Sequence, residues 1–315
     1  MDAACVEHWT HPALILVASN LSDVDRLMPH SFQMAKETGA RLLLLHVLPA
    51  TASLTVDVTG MPYYDPASAL EYARKALEPW CESARKQGIE CEGIVREGHA
   101  AQEIVSAIRQ FHAHRLVLGT RSRSKLGKLL LGSVAEQVLR SVNLPVITVG
   151  PEAHLPVQDS GRNKTVLYAT TLGETSRPSA ALACHIAASQ DARLVLLHVL
   201  PPLDRSQRER LPAGSDSAAV EELRRLAQET GAGCCSDVEP RVLHGHPAIE
   251  ILSEAASDHA SLIVLGATHR AAFENLTRDR TVYRVLAHAL CPVLTLRISD
   301  TQPAHAEPET LAAHG

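Results

Sequence analysis

The sequence has few aromatic residues, no excess of basic charge and no long apolar run. Aromatic side chains make up 3% of the 315 residues, which argues against a platform that stacks nucleic-acid bases. Lys and Arg number 30 against 35 Asp and Glu, and the formal net charge of −5 argues against a basic nucleic-acid surface. The run Leu42–Leu45 ends at His46, far short of the roughly 20 apolar residues that span a bilayer. We therefore expect neither a nucleic-acid partner nor a membrane partner.

Signals of export and of paired cysteines are also missing. The first twelve residues include Asp2 and Glu7 and contain neither a basic segment nor an apolar core, so we expect no signal peptide. The 7 cysteines are odd in number, and none lies in a C-x-x-C pattern. These features suit a reducing compartment. We expect a cytoplasmic protein whose thiols are mostly small buried groups.

Patterns for a metal site or a catalytic nucleophile are absent as well. The closest histidine pairs are His112 with His114 and His244 with His246, and no cysteine or carboxylate stands beside them at a ligand spacing. Surface histidines explain these pairs more simply than a metal does. No Ser/His/Asp arrangement can be recognised from spacing. We expect no metal ligands and no catalytic residues.

The chain contains one pattern twice. RLLLLHVLP at 41–49 returns as RLVLLHVLP at 193–201, and VREGHAAQEI at 95–104 returns as VLHGHPAIEI at 242–251. The copies lie about 150 residues apart, which indicates a duplicated domain. His46 and His198 end matching strands, and we expect each to be a buried histidine bonded to the neighbouring backbone.

Apolar runs alternate with helical patterns in both copies. Leucine-rich and β-branched runs predict strands buried on both faces at 14–18, 42–47, 115–118, 146–149, 166–170, 194–199, 262–265 and 293–296. Helical patterns lie between them at 23–38, 67–87, 101–111, 134–141 and 218–230. Strands that alternate with helices predict βαβ units and a parallel sheet.

Polar segments divide the chain into domains. We place the first domain at 11–150 and the second at 164–298, joined by a polar linker at 151–163 that contains proline and glycine. The segment 299–315 is polar and contains several Pro and Ala residues, so we expect a disordered tail.

Open α/β sheets bind ligands beyond the carboxyl ends of their strands, where the strand order reverses. After the fourth strand the chain runs GTRSRSKLGKLLLGSVAEQVLRS from Gly119. Ser133 and Glu136 have the spacing of a capping box that opens a helix. Four cations precede it: Arg121, Arg123, Lys125 and Lys128. A helix N-terminus beside mobile positive charge suits phosphate. The same pattern is also expected of a capped helix and a solvated loop that bind nothing. The stretch has neither a Walker A spacing nor a GxGxxG spacing.

This stretch resembles the nucleotide signature of the universal stress protein family, G-x2-G-x9-G-[ST]. Gly119, Gly132 and Ser133 match the signature, whereas Ser122 stands at its second glycine. The family opening is present as ILVASNLS at 15–22, with Asn20 where the family usually has Asp. The resemblance covers both copies, about 11–297. It implies a tandem member of the family, with two flavodoxin-like (Rossmann-like) α/β domains that each contain a five-stranded parallel sheet.

The resemblance also implies a ligand, since some members bind ATP or a related adenine nucleotide and others bind none. Carried across, Ala18, Asn20 and Val47 line the adenosine. Seven residues wrap the phosphates: Leu118, Gly119, Arg121, Ser122, Gly132, Ser133 and Val134. Asn20 carries no charge, and Ser122 lacks the access of glycine to positive φ.

The second copy departs further from the signature. Counted from Gly266, the second glycine falls on His269 and the final pair on Asp279 and Arg280. Asp279 would place negative charge against a phosphate, and Thr171 stands at the position of Asn20. We expect no cofactor in the second repeat.

These features predict a cytoplasmic universal stress protein that acts in the stress response and binds ATP, with Mg²⁺, in its first repeat. It would be a binding protein and not an enzyme, with slow ATP hydrolysis at most. The alternative is a nucleotide-independent scaffold for unknown protein partners, and an enzyme of another α/β class is a weaker third hypothesis. In the family the last strands pair across a two-fold axis. We therefore expect 146–149 and 293–296 to pair within the chain as a pseudo-dimer, and a homodimer is also open.

Overall fold

The computed structural model describes residues 9–49, 66–120, 131–155, 164–173, 176–203, 216–230, 237–268 and 280–298. The predicted tail at 299–315 and most of the predicted linker lie outside the described residues. In the described part of the chain, no helix is long and apolar enough to cross a bilayer.

Each repeat alternates strands and helices. The first repeat contains β1 (Leu14–Ser19), α1 (Val24–Thr38), β2 (Arg41–Pro49), α2 (Pro66–Lys86), β3 (Cys91–Gly98), α3 (Ala100–Phe111), β4 (Arg115–Gly119), α4 (Ser133–Ser141) and β5 (Val146–Val149). The second contains β6 (Thr165–Thr170), α5 (Ser176–Ser189), β7 (Arg193–Leu200), α6 (Ser217–Glu229), β8 (Val238–His244), α7 (Pro247–Ser257), β9 (Leu262–Thr268), α8 (Arg280–His288) and β10 (Val293–Ile298).

The local sequence accounts for the first of these elements. All six residues of β1 are buried, because the strand is covered on both faces and needs apolar side chains on both. Helix α1 ends at Gly39, which adopts the left-handed conformation (φ 71°) and donates its N–H to the Ala35 carbonyl. Strand β2 continues to Pro49. Val47 therefore lies within the strand rather than at its end.

The strands form one sheet in the order β3-β2-β1-β4-β5-β10-β9-β6-β7-β8. Within each half all pairings are parallel, and the order is the doubly wound one with its reversal between the first and fourth strands. The predicted pairing of the two last strands is confirmed. Strands β5 and β10 run antiparallel, with Ile147 opposite Leu294. The carboxyl ends of the parallel strands in the two halves therefore point in opposite directions.

The helices cover both faces of this sheet. Helices α1, α2, α5 and α6 pack on one face, around a core that includes Val17, Ile147, Tyr168 and Leu294. Helices α3, α4, α7 and α8 pack on the other face. Each core layer contains residues of both repeats, so the two halves share their hydrophobic core across the β5–β10 pairing.

Glu37 joins the repeats through polar contacts. Its carboxylate accepts hydrogen bonds from Lys164 Nζ at 2.9 Å and from Gln190 Nε2 at 2.7 Å, both in the second repeat. Nearby Arg115 is completely buried and donates to the Trp9 carbonyl at 2.8 Å. Burial lowers the pKa of Arg115 to about 10, and the negative charge of Glu37 opposes that shift.

Truncation of Leu294 tests the shared core. Leu294 is fully buried at the β5–β10 pairing, so Leu294→Ala leaves a cavity and is expected to lower the free energy of unfolding by about 2–5 kcal/mol. The control is Leu290→Ala, at a leucine that is 49% exposed, with an expected change within about 0.5 kcal/mol. Urea unfolding measures both variants. Equal effects would contradict the shared core.

His30 on α1 is a buried histidine that folding keeps neutral. Desolvation, together with a smaller effect of the positive charge of Arg26, lowers its pKa from 6.5 to about 4. The unfolded chain therefore takes up a proton at a higher pH than the folded chain does. Stability that depends on neutral His30 is complete above pH 6.5 and is lost as the pH falls towards 4.

Replacement of His30 is expected to flatten this pH dependence. Linkage allows up to about 3 kcal/mol between the two pKa values, so His30→Gln should lose less stability than the wild type between pH 6.5 and 5. Urea unfolding at several pH values measures the difference. His154→Gln, at an exposed position, serves as the control and should keep the wild-type profile. A wild-type slope in His30→Gln would disprove the assignment.

Candidate functional site

A cavity of about 390 Å³ opens at the carboxyl edge of the first repeat. It lies where β1 and β4 are neighbours, because α1 and α4 leave these strands towards opposite faces of the sheet. Its volume is in the range of small-molecule sites. The lining residues are Ala18, Ser19, Asn20, Ser22, Asp23, Arg26, Leu45, Val47, Ala100, Ile104, Leu118, Gly119, Gly132, Ser133, Val134 and Ala135.

The cavity has an apolar wall and a polar end. Strand residues Ala18, Val47 and Leu118 supply the wall, together with Ile104 of α3. The polar end is formed by the turn after β1, by the first residues of α1 and by the start of α4. Such a division suits a ligand with a flat apolar part and a charged part.

The turn after β1 is fixed by side-chain hydrogen bonds. The Ser19 hydroxyl accepts from the Leu21 N–H at 3.0 Å and donates to Asp23 Oδ1 at 2.6 Å, and Leu21 adopts a positive φ of 69°. The oxygen of the Asn20 side chain accepts from the Ser22 N–H and hydroxyl. The amide nitrogen of Asn20 is therefore the end of this side chain that can donate to a ligand.

Asp23 and Arg26 both approach Gly119 at the end of β4. A Cβ placed on Gly119 would lie 2.4 Å from Asp23 Oδ2 and 3.3 Å from Arg26 Nη2. The close approach of these two charged side chains therefore requires a glycine at this position. Asp23 is buried, with 7% of its surface exposed, and Oδ1 also accepts from the Asn20 N–H.

The predicted capping box of Ser133 and Glu136 is wrong. The N-cap of α4 is Gly132, which has no side chain to donate or accept, and Ser133 is already the first helical residue. The Glu136 carboxylate instead pairs with Arg140 one turn later. The helix thus begins beside the cavity with N–H groups that no capping side chain of the described residues engages. Those groups can donate hydrogen bonds to an anion.

Eight of the ten predicted site residues line this one cavity. They are Ala18, Asn20, Val47, Leu118, Gly119, Gly132, Ser133 and Val134. Arg121 and Ser122 lie outside the described residues, as do Arg123, Lys125 and Lys128. Sequence analysis missed Asp23 and Arg26. Their position three residues apart, directly after the strand that borders the reversal point, is the signal that could have found them.

The second repeat has the same kind of turn after its first strand, but other side chains pack beside it. The Thr170 hydroxyl accepts from the Leu172 N–H at 3.1 Å and donates to Ser176 Oγ at 2.9 Å, and Leu172 has a φ of 60°. A Cβ placed on Gly266 would lie 2.8 Å from Ser179 Oγ and 3.1 Å from Tyr168 Oη. Neutral hydroxyls thus stand where the first repeat has Asp23 and Arg26.

The two matching histidines bond to the backbone as predicted, but only His46 is buried, and His198 is half-buried. His46 Nδ1 lies 2.9 Å from the Ser19 carbonyl oxygen, and His198 Nδ1 lies 2.8 Å from that of Thr170. Each ring ties the second strand of its repeat to the turn after the first strand. Of the other histidines considered, His112 ends α3 with a positive φ of 53°, and His244 pairs with Asp216 at 2.9 Å.

Comparison with known proteins gives the family. The sequence model of the universal stress protein family matches residues 14–150 and again residues 162–297. The chain belongs to the universal stress protein family. A universal stress protein of Mycolicibacterium smegmatis is 25% identical over 317 residues, covering 93% of this chain and 99% of the relative. Universal stress protein YxiE of Bacillus subtilis is 31% identical over 144 residues, covering 43% of this chain and 97% of the relative.

A solved structure confirms the expected fold class. The crystal structure of a universal stress protein from Archaeoglobus fulgidus aligns with a TM-score of 0.69 and 22% identity, covering 90% of this chain and 98% of that one. This likeness concerns the fold alone. The tandem arrangement of two universal stress protein domains, predicted from the repeated sequence blocks, is confirmed by the two family matches.

In this universal stress protein the second repeat contacts the helix that borders the cavity. The Tyr283 hydroxyl of α8 accepts a hydrogen bond from the Leu131 N–H at 3.0 Å, directly before the N-cap of α4. At the other end of α4, the Arg297 guanidinium donates to the Arg140 carbonyl. The position of α4 therefore depends on both repeats.

Substitution of Gly119 tests the close approach of Asp23. The added methyl group of Gly119→Ala would displace the Asp23 carboxylate, so we expect a loss of about 1–3 kcal/mol in the free energy of unfolding. The control is Gly173→Ala in the second repeat, where a Cβ meets only Thr171 Oγ1 at an ordinary 3.7 Å. Urea unfolding compares the two variants. A Gly119→Ala protein as stable as the control would refute the contact.

Proposed function

We propose that the first repeat binds an adenine nucleotide, ATP or a close relative, and that the second repeat binds none. The observation that carries this proposal is the convergence of eight predicted site residues on one cavity that has an apolar wall and, among the described residues, a helix N-terminus without a side-chain cap. In the second repeat, the hydroxyls of Tyr168 and Ser179 stand against Gly266 in place of the charged pair.

The two ends of the cavity divide the recognition of the nucleotide. The adenine ring would lie against Ala18, Val47 and Leu118, where burial of a flat apolar surface supplies affinity. The Asn20 amide would donate to the base or the ribose. The phosphates would face the first N–H groups of α4, because these groups and the helix dipole attract negative charge.

Mg²⁺ is expected to accompany a triphosphate, and it prefers oxygen ligands. Asp23 is the carboxylate among the described residues that line the cavity, and its Oδ2 faces Gly119 at the polar end. The donor set thus fits a Mg²⁺ ion that the phosphates carry, with Asp23 as the protein group nearest to it. The ion would neutralise phosphate charge beside this buried carboxylate.

The same cavity supports binding rather than catalysis. Among its described lining residues, Asp23 is the one group of the general-base type, and its Oδ1 is engaged by Ser19 and Asn20. We propose a cytoplasmic nucleotide-binding protein of the stress response, with slow hydrolysis at most. The alternative is a scaffold that works without nucleotide, and the following experiment distinguishes it from the nucleotide-binding protein.

Calorimetric titration of the full chain with ATP tests the proposal. We expect one nucleotide per chain, and we expect Gly132→Asp to weaken binding at least tenfold, because its carboxylate would stand against the phosphates at the N-cap of α4. Gly173→Asp, which adds the same charge in the second repeat, should bind as the wild type does. No binding to the wild type at millimolar ATP would favour the scaffold. Two nucleotides per chain would contradict the proposal for the second repeat.

A further inference from the structure

We propose that Arg26 is a phosphate-binding residue of this cavity and makes the site select polyphosphates over uncharged nucleosides. The inference rests on the proposed function and goes beyond the signature residues, since Arg26 lies on α1, outside the segment that carries the glycines. In this proposal α1 also binds the phosphates, whereas the nucleotide signature places phosphate binding only in the loop after β4 and in α4.

Arg26 is half-buried at the polar end of the cavity, and two nitrogen atoms of its guanidinium are not saturated. Its Nε and Nη2 atoms are shielded from solvent and have no hydrogen-bond partner among the described residues. Nη2 lies 3.3 Å from the position of a Cβ on Gly119, the first glycine of the signature. Buried N–H groups of a cation are costly to leave unpaired, so an anion that reaches them is bound strongly.

Asp23 explains why a cation is needed at this place. Its Oδ2 faces the same glycine, and a phosphate there would meet a buried negative charge at short range. Oδ1 is already engaged by Ser19 and Asn20, so Asp23 is held in place by the turn. Arg26, one helical turn later, supplies the compensating charge and presents planar N–H donors that match phosphate oxygens.

The described residues of the second repeat place neutral side chains where the first repeat has this charged pair. The same turn there places Ser176 at the Thr170 hydroxyl, where the first repeat has Asp23 at Ser19. Ser179, three residues later, stands against Gly266, as Arg26 stands against Gly119. Among the described residues of this junction, from which 174 and 175 are missing, two serines thus occupy the places of Asp23 and Arg26. The difference in charge is consistent with a charged ligand in the first repeat.

The test uses the full chain and three probes: ATP, adenosine and inorganic tripolyphosphate. Titrations in EDTA keep divalent metal from substituting for the arginine. The variants are Arg26→Gln, which removes the charge, and Arg26→Lys, which keeps the charge without the planar donors. The control is Arg177→Gln on the equivalent helix of the second repeat, where Arg177 pairs with Glu229 near solvent. Circular dichroism and urea unfolding verify that each variant is folded.

We expect Arg26→Gln to weaken ATP and tripolyphosphate about ten- to a hundredfold and to leave the adenosine affinity unchanged, with Arg26→Lys between it and the wild type. Arg177→Gln should match the wild type for all three probes. Equal affinities of Arg26→Gln and wild type for tripolyphosphate would overturn the role of Arg26, as would an equal loss for adenosine. Wild-type binding of tripolyphosphate without adenosine or ATP would refute the proposed function and still support a phosphate site at Arg26.

Discussion

The antiparallel pairing of β5 with β10 is the constraint on which the rest of the molecule depends. Each five-stranded half would otherwise end in a strand with unpaired backbone groups, and here each half covers the edge of the other. The pairing merges the core layers of the two halves and turns their carboxyl ends towards opposite edges of the sheet. The carboxyl ends of the strands in the two repeats therefore lie apart, and each repeat can vary there without disturbing the shared core.

The two edges have diverged on a common backbone frame. Both repeats keep a hydroxyl residue at the end of the first strand, a leucine with positive φ two residues later and a histidine bonded to the turn. The difference lies in which side chains pack against the glycine in the fourth strand of each repeat, Gly119 in β4 and Gly266 in β9. The first repeat places a carboxylate and a guanidinium there, whereas the second places the hydroxyls of Ser179 and Tyr168. The shared backbone sets where a site can lie in each repeat. The side chains that pack against the glycine set the charge of that site.

A structural feature can be predicted from the sequence when the residues that cause it are neighbours along the chain. The strands at the centre of each half are predicted well, because burial on both faces forces continuous apolar runs. The same criterion does not identify β3 or β8, which lie at the two ends of the sheet and carry mixed sequences such as CEGIVREG with partial exposure. The capping box is wrong because its spacing is met equally by a helix that begins one residue earlier, at Ser133, with Gly132 as its N-cap. The place of Arg26 in the cavity depends on Gly119, far along the chain, and no local pattern contains that relation.

The hydrogen bond from the Leu131 N–H to the Tyr283 hydroxyl links the second repeat to the start of α4 in the first. It fixes the chain immediately before the helix end that faces the cavity, and the hydroxyl comes from a helix at the opposite half of the molecule. Thermodynamic coupling is reciprocal, so if a ligand in the cavity shifts α8, a displacement of α8 changes the affinity of that ligand by the same factor. A substitution at Tyr283, on the far repeat, would thus reach the cavity through a single backbone N–H.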